Sequence, residues 1–95
     1  MARASAVTLL QLQPLLIELR KIPDLTETKP GIFYVKRLPM LHFHETESGI
    51  VADLKCVVPR PGGFTRFKID SEGARRKLLG EARLRCAKLQ KKTTP

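Results

Sequence analysis

The spacing at which hydrophobic residues recur changes twice along this chain, and each spacing predicts either a helix or a strand. Four leucines in the first quarter recur at intervals of three or four residues: Leu9, Leu12, Leu16 and Leu19. This spacing predicts an amphipathic helix over roughly residues 7–21. Between residues 32 and 69 the period falls to two, which is typical of strands whose side chains alternate between two faces. Helical spacing then returns and continues to about residue 90.

Pro14 lies inside the first helical pattern. Because proline lacks a backbone donor, the helix either kinks at Pro14 or begins there, with the proline in its first turn. The run Ile22-Pro23-Asp24 ends this helix, and residues 25–30 are expected to form a polar linker.

Four strands are predicted in the middle of the chain, over residues 32–37, 40–45, 50–58 and 64–69. Short turns join the first three strands, and a loop rich in proline and glycine precedes the fourth. The closing helix begins at a capping segment, Asp70-Ser71-Glu72. Small and apolar residues line one side of this helix: Ala74, Leu78, Ala82, Cys86 and Leu89.

This order of elements predicts an α+β fold. We expect a two-layer sandwich in which a four-stranded antiparallel meander sheet carries the N- and C-terminal helices on one face (order α-β-β-β-β-α). A chain of 95 residues suits one domain with a single core. We therefore expect residues 1–95 to form that domain, with residues 1–5 and 91–95 flexible.

The most informative segment is a predicted hairpin over residues 41–55. If residues 46–49 close the hairpin, four pairs follow: Leu41 with Leu54, His42 with Asp53, Phe43 with Ala52, and Glu45 with Ile50. This register separates apolar from polar pairs more cleanly than a slip of one residue would. It places His42, His44 and Asp53 together on one face of the sheet.

Three interpretations of these polar side chains stay open. His42, His44 and Asp53 could hold a divalent metal, since imidazole and carboxylate groups suit Zn²⁺, Mn²⁺ or Fe²⁺. His42 could instead act as a general base oriented by Asp53. The simplest interpretation is a cross-strand pair of His42 with Asp53, worth ~0.2–1 kcal/mol, on a sheet face that the helices do not cover.

The net charge of +9 is unevenly distributed along the chain. Residues 59–95 hold eleven Lys and Arg against three Asp and Glu, whereas residues 1–58 hold seven against six. This bias favours nucleic acid or an acidic protein surface as a partner, and the alternative is a basic surface that only water contacts. The candidate polyanion-binding residues are Arg60, Arg66, Lys68 and Lys36. Tyr34, on the same predicted strand face as Lys36, adds an aromatic ring of the kind that single-strand binders use.

Other features narrow the class of protein. Cys56 and Cys86 lack the Cys-x-x-Cys spacing of zinc and redox motifs, so we expect two reduced thiols buried in the core. No segment approaches the roughly 20 apolar residues that span a bilayer, so we expect no membrane partner and a cytoplasmic location. The sequence carries no helix-turn-helix, zinc-finger or RNA-recognition signature.

Two sets of motifs resemble known groups of proteins. Phe33-Tyr34-Val35, Leu41-His-Phe-His-Glu45, Gly49 and Ala52-Asp53-Leu54 resemble a group of small uncharacterised bacterial proteins. The wider layout is similar to the YjbR/MmcQ-like family, through Ile22-Pro23-Asp24-Leu25 after the first helix, Phe33-Tyr34-Val35 on a strand and the closing Asp-Ser-Glu helix. This resemblance implies a frataxin-like fold, with an antiparallel sheet between two helices, and it suggests DNA binding.

Three classes of function follow from the sequence. The leading expectation is a small basic module that binds nucleic acid or another polyanion through the helix-free face of the sheet. The second is a site for a divalent metal such as zinc at His42, His44 and Asp53, with or without catalysis. The third is a homodimer in which two sheets pack face to face without any ligand.

Overall fold

The structure, a computed structural model, describes residues 2–58 and 62–93, and the side chains of residues 3–58 and 62–89. These residues contain three helices and six strands. In chain order the elements are β1 (Ala2–Arg3), α1 (Ala6–Gln11), α2 (Gln13–Leu19), β2 (Leu25–Lys29), β3 (Ile32–Val35), β4 (Leu38–Thr46), β5 (Gly49–Lys55), β6 (Phe64–Lys68) and α3 (Glu72–Thr93).

The strands form one antiparallel sheet in the order β2-β3-β4-β5-β6. β1 also pairs with β4, through Ala2 opposite Glu45 and Arg3 opposite His44. Because β5 occupies the other edge of β4, β3 and β1 follow one another along the same edge. The α+β class and the antiparallel meander are therefore confirmed, but the predicted number of four strands is wrong.

β2 corrects the prediction of a polar linker over residues 25–30. Leu25 is buried opposite Val35, and Lys29 pairs with Ile32 at the other end of the strand. β2 lies at the edge of the sheet, where one side of a strand faces water and polar residues are tolerated. The polar composition of this segment thus reflects an edge position in the sheet.

The first predicted helix is divided into two. The chain leaves the helical conformation at Leu12, where φ is −89° and ψ is 3°. α2 then begins at Gln13, with Pro14 in its first turn. The second alternative therefore holds, since a new helix starts next to Pro14 and has the proline in its first turn. Leu12 is fully buried, so the bend itself belongs to the core.

Helices α1, α2 and α3 pack on one face of the sheet, as predicted. Apolar side chains of the helices meet the inward side chains of the strands in a single cluster. Its largest fully buried members are Leu12, Leu16, Leu19, Phe33, Met40, Leu41, Leu54, Val57, Ile69, Leu78 and Cys86. Removal of this apolar surface from water is the main force that holds the two layers together.

β4 and β5 pair in the predicted register: Leu41 with Leu54, His42 with Asp53, Phe43 with Ala52, and Glu45 with Ile50. Leu41, Phe43, Ala52 and Leu54 are all buried. Because side chains alternate along a strand, the imidazoles of His42 and His44 point away from the helices. The central prediction of the hairpin is confirmed.

A bulge in β4 adds one more side chain to the core. Two cross-strand pairs flank a single extra residue, since Phe33–Leu41 and Tyr34–Pro39 lie on either side of Met40. Met40 and Leu41 are consequently both fully buried although they are adjacent in sequence. The bulge restores the alternation that sends His42 outward.

Ala2 and Arg3 pair with β4, in a segment of residues 1–5 that was expected to be flexible. Met1 and residues 94–95, which belong to the two ends expected to be flexible, lie outside the described residues. The carboxylate of Glu45 accepts hydrogen bonds from the backbone amide of Ser5 and from the hydroxyl of Thr8, the second at 2.7 Å. The hydrogen bond from Thr8, followed by that from Ser5, lowers the pKa of Glu45. At the other end of the chain, α3 continues to Thr93.

Substitution by alanine should change the free energy of unfolding in opposite directions at Gly49 and at Gly80. Gly49 has a φ of +130°, and a Cβ there would collide with the Asp70 carboxylate, which accepts a hydrogen bond from the Ile50 amide. Backbone strain of this kind costs about 1–3 kcal/mol, so Gly49→Ala should lower the free energy of unfolding by at least that order. Gly80 lies within α3 with nothing close to its missing Cβ, so Gly80→Ala should raise it by about 1 kcal/mol.

Urea unfolding of both variants measures these two changes. A Gly49→Ala variant that gained stability together with Gly80→Ala would contradict the packing of Asp70 against the β4–β5 turn.

Candidate functional site

The face of the sheet opposite the helices, which we call the open face, gathers every residue of the predicted hairpin site. Strand alternation places these side chains on it: Arg3, Lys29, Ile32, Tyr34, His42, His44, Val51, Asp53, Lys55, Phe64, Arg66 and Lys68. Five of them are lysine or arginine, and one is a carboxylate. The open face is therefore strongly basic around a single acidic group.

The two imidazoles of β4 face one another at the centre of the open face. His42 Nδ1 lies 2.6 Å from His44 Nε2, and the rings meet edge to face with centroids 4.6 Å apart. A neutral imidazole has one donor and one acceptor nitrogen, so one proton must lie between these two atoms. Burial, followed by the neighbouring His44, lowers the pKa of His42. The pair therefore favours a state in which His42 is neutral.

Asp53 completes the cluster from β5. Its Oδ2 lies 3.3 Å from His44 Nε2, and the ligand atoms of His42, His44 and Asp53 all lie within 4.8 Å of one another. His42 is directly opposite Asp53 in the register, as predicted. The imidazole nitrogen that makes an ion-pair contact with this carboxylate, however, belongs to His44 and not to His42.

Arg66 of β6 holds the same carboxylate from the other side. Its Nε and Nη2 atoms each donate a hydrogen bond of 2.9 Å, to Asp53 Oδ1 and Oδ2 respectively. Hydrogen bonding to Arg66 is the main cause that lowers the pKa of Asp53. Two parallel bonds of this kind fix the orientation of the carboxylate as well as its charge.

Of the four residues predicted to bind a polyanion, the structure describes three, and two of these lie together on the open face. Arg66 and Lys68 both lie on the open face, and Lys68 is exposed. Lys36 falls in the turn between β3 and β4, with a φ of 55°, so it does not share a strand face with Tyr34. Arg60 lies outside the described residues.

The structure adds cations that sequence reasoning missed. Arg3 and Lys29 belong to segments expected to be a flexible terminus and a linker, so no face was assigned to them. Lys55 could have been found, because it lies two residues beyond Asp53 and therefore shares its side of β5. Around the ion pair of Asp53 and Arg66, the open face therefore carries four further cations: Arg3, Lys29, Lys55 and Lys68.

Phe64 supplies an exposed aromatic ring beside the cluster. Its side chain is 41% exposed, and its ring centroid lies 5.0 Å from that of His42. Lys55 Nζ lies 4.8 Å from the centre of the same ring. The signal in the sequence was the alternation of β6, which gives Phe64 the same side as Arg66 and Lys68.

A groove of about 670 Å³ opens next to the imidazoles. It lies between β3 and β1, which pair with neighbouring stretches of the same edge of β4, and it also borders α1. Its polar lining comes from Arg3, Lys29, Tyr34, His42 and His44. The groove therefore joins two cations to the histidine pair.

The two cysteines, which are not among the side chains of the open face, are free thiols. Cys86 is buried as predicted, and this burial raises its pKa to about 11. Cys56 corrects the prediction of a second buried thiol, because it is partly exposed, with its Sγ 3.1 Å from Thr65 Oγ1.

Comparison of the chain with protein-family models, curated proteins and solved structures finds no match. The resemblance to the YjbR/MmcQ-like family stays a prediction. Among the described residues, no helix has the length and apolar character that crossing a bilayer requires.

The ion pair between Asp53 and Arg66 should couple β5 to β6. Asp53→Asn and Arg66→Gln each remove the charge of one partner, so the double variant should lose less stability than the sum of the two single variants. Urea unfolding of the four proteins in this cycle measures the coupling. The matched control combines Asp53→Asn with Lys68→Gln, which should be additive because Lys68 lies opposite Val51. Additive losses for Asp53 and Arg66 would contradict the bidentate contact.

Proposed function

We propose that this protein is a small basic module that binds single-stranded nucleic acid on the open face. The observation that carries the proposal is the arrangement of five cations and an exposed phenylalanine on one uncovered sheet surface. Positive charge that follows a phosphate backbone, together with aromatic rings that stack on bases, is the usual basis of single-strand binding.

The charge balance of the open face supports contact with phosphate groups. Asp53 is the one carboxylate in the set, and Arg66 neutralises it through two hydrogen bonds. The other four cations are Arg3, Lys29, Lys55 and Lys68. The repulsion that a free carboxylate would exert on phosphate is therefore cancelled, and a net positive surface is left.

The shape of the surface favours a single strand over a duplex. A helix or a two-stranded ribbon must protrude to enter the major groove, whereas the described part of the open face is the broad surface of a sheet. Phe64 presents its ring beside Lys55, and Tyr34 is partly exposed on β3. Unpaired bases can stack on such rings whatever their identity.

One other basic surface, on α3, and one other partner for the open face, a second copy of the chain, compete with this proposal. α3 carries Arg76 and Lys77 on its exposed side, in the helical layer of the fold. A homodimer with sheets face to face would bring the basic open faces of two copies together, and like charges oppose such an interface. Matched substitutions on the open face and on α3 distinguish these surfaces.

Lys68→Gln and Lys77→Gln remove the same charge from opposite layers. We expect Lys68→Gln to weaken binding to a fluorescent oligothymidylate and to reduce the slope of log K against log salt by about 0.7, the effect of one lost phosphate contact on a single strand. Lys77→Gln should leave that slope unchanged. Fluorescence anisotropy over a series of salt concentrations measures both. Equal effects of the two substitutions, or no binding of the native protein at low salt, would exclude the open face as the binding surface.

Phe64→Ala tests the aromatic part of the surface. Stacking of a base on an aromatic side chain is worth about 1–3 kcal/mol, so this substitution should weaken oligothymidylate binding about 5- to 150-fold without changing the salt slope. Leu84→Ala is the matched control, because Leu84 is an exposed apolar residue on α3. A loss of affinity that is the same for both variants would argue against stacking on Phe64.

A further inference from the structure

The chain contains two histidines, and the fold brings both to one point. His42 and His44 lie on the same side of β4, and their facing nitrogens are 2.6 Å apart. The carboxylate that reaches this point comes from Asp53 on the neighbouring strand. Two imidazoles and a carboxylate whose ligand atoms lie within 4.8 Å of one another form the donor set that zinc-class ions prefer.

We propose that His42, His44 and Asp53 form a binding site for a divalent metal ion of the zinc class. This inference goes beyond nucleic-acid binding and does not depend on it, since it concerns the free protein and the ion alone. The three ligands come from two adjacent strands in a confirmed register, so the sheet itself sets their spacing.

The separations of the three ligand atoms, from 2.6 Å up to at most 4.8 Å, lie on both sides of the spacing that a tetrahedral ion requires. Two ligand atoms at about 2.0–2.1 Å from a tetrahedral ion lie about 3.3–3.4 Å apart. The separation of 3.3 Å between His44 Nε2 and Asp53 Oδ2 already has this value. His42 Nδ1 is closer to His44, so its ring must move outward by about 0.7 Å to reach the same spacing. Both rings are partly exposed, which leaves room for this movement.

Arg66 leaves Asp53 able to bind the ion, but its positive charge lowers the affinity of the site for a cation. A carboxylate oxygen has two lone-pair positions, so Asp53 Oδ2 can bind a metal while it still accepts a hydrogen bond from Arg66. Such a partner orients the ligand, as second-layer groups do in many metal sites. The guanidinium charge also repels a cation, and we therefore expect weaker binding than at a closed site with four protein ligands.

Three protein ligands leave a fourth position of a tetrahedral ion free. His42 and His44 also line the groove that contains Arg3 and Lys29. An ion bound by these residues would lie beside this basic groove, from which water or an anionic oxygen could complete the coordination.

Titration of the purified, metal-free chain with CoCl₂ tests the proposal. We expect one ion per chain, with the visible absorption of tetrahedral Co²⁺, and displacement of that signal by ZnCl₂. His42→Ala and His44→Ala should abolish the signal. Asp53→Asn should weaken Zn²⁺ binding, measured by calorimetry, by at least the roughly 10-fold that loss of an orienting partner costs.

Two matched variants separate this site from other ligands of the chain. Cys56→Ser removes the partly exposed thiol, and Glu47→Gln removes a carboxylate from the β4–β5 turn. Both should bind as the native protein does. Retained binding in His42→Ala and His44→Ala, or loss of binding in Cys56→Ser, would overturn the assignment.

NMR of the native protein covers the case in which a histidine variant fails to fold. Zinc should shift the imidazole nitrogen resonances of both His42 and His44, which are the only imidazoles of the chain. Absence of a zinc-dependent shift in either ring would overturn the proposal without any substitution.

Discussion

The pairing of β4 with β5 in one register is the constraint on which the rest of this structure depends. Because side chains alternate with a period of two, a slip of one residue between β4 and β5 would turn one of the two strands over and mix the apolar and polar sets. Either Phe43 would face water and His42 would lie beneath the helices, or Leu54 would face water and Asp53 would lie beneath them. Burying a carboxylate there without its partner is costly. Burial of the apolar face thus places the polar groups together, and no attraction between them is needed to assemble the cluster.

Within this frame, the contact of Arg66 with Asp53 determines the electrostatics at the centre of the open face. Asp53 is buried on a surface that is otherwise basic, so its charge needs a partner that is held by the sheet. β6 supplies that partner directly opposite, and the two parallel hydrogen bonds orient the carboxylate toward His44. The same contact therefore stabilises the acid and aligns it with the imidazoles.

The sequence was sufficient to predict the hairpin and its outward histidines, because Leu41, Phe43 and Leu54 tolerate only one register. It was not sufficient for Lys29, since the polar composition of an edge strand resembles that of a linker. Arg3 was missed for a different reason: β1 has two residues, too few for any periodicity, and it depends on pairing with β4. The partner of Asp53 also escaped prediction, because it follows from the register of β5 with β6 rather than from local pattern.

The two proposals for the open face are connected by thermodynamics as well as by position. If an anionic oxygen of a bound strand completes the coordination of a metal ion at His42, His44 and Asp53, each ligand must raise the affinity for the other by the same factor. If the strand instead contacts Lys68 alone, the two equilibria stay independent apart from general electrostatic attraction, which salt screens within about 10 Å. Phe64 provides a second route by which the two equilibria can be coupled, because its ring lies against that of His42. An outward movement of that imidazole toward an ion would change the surface on which a base stacks, so the metal and the nucleic acid need not contact each other to be coupled.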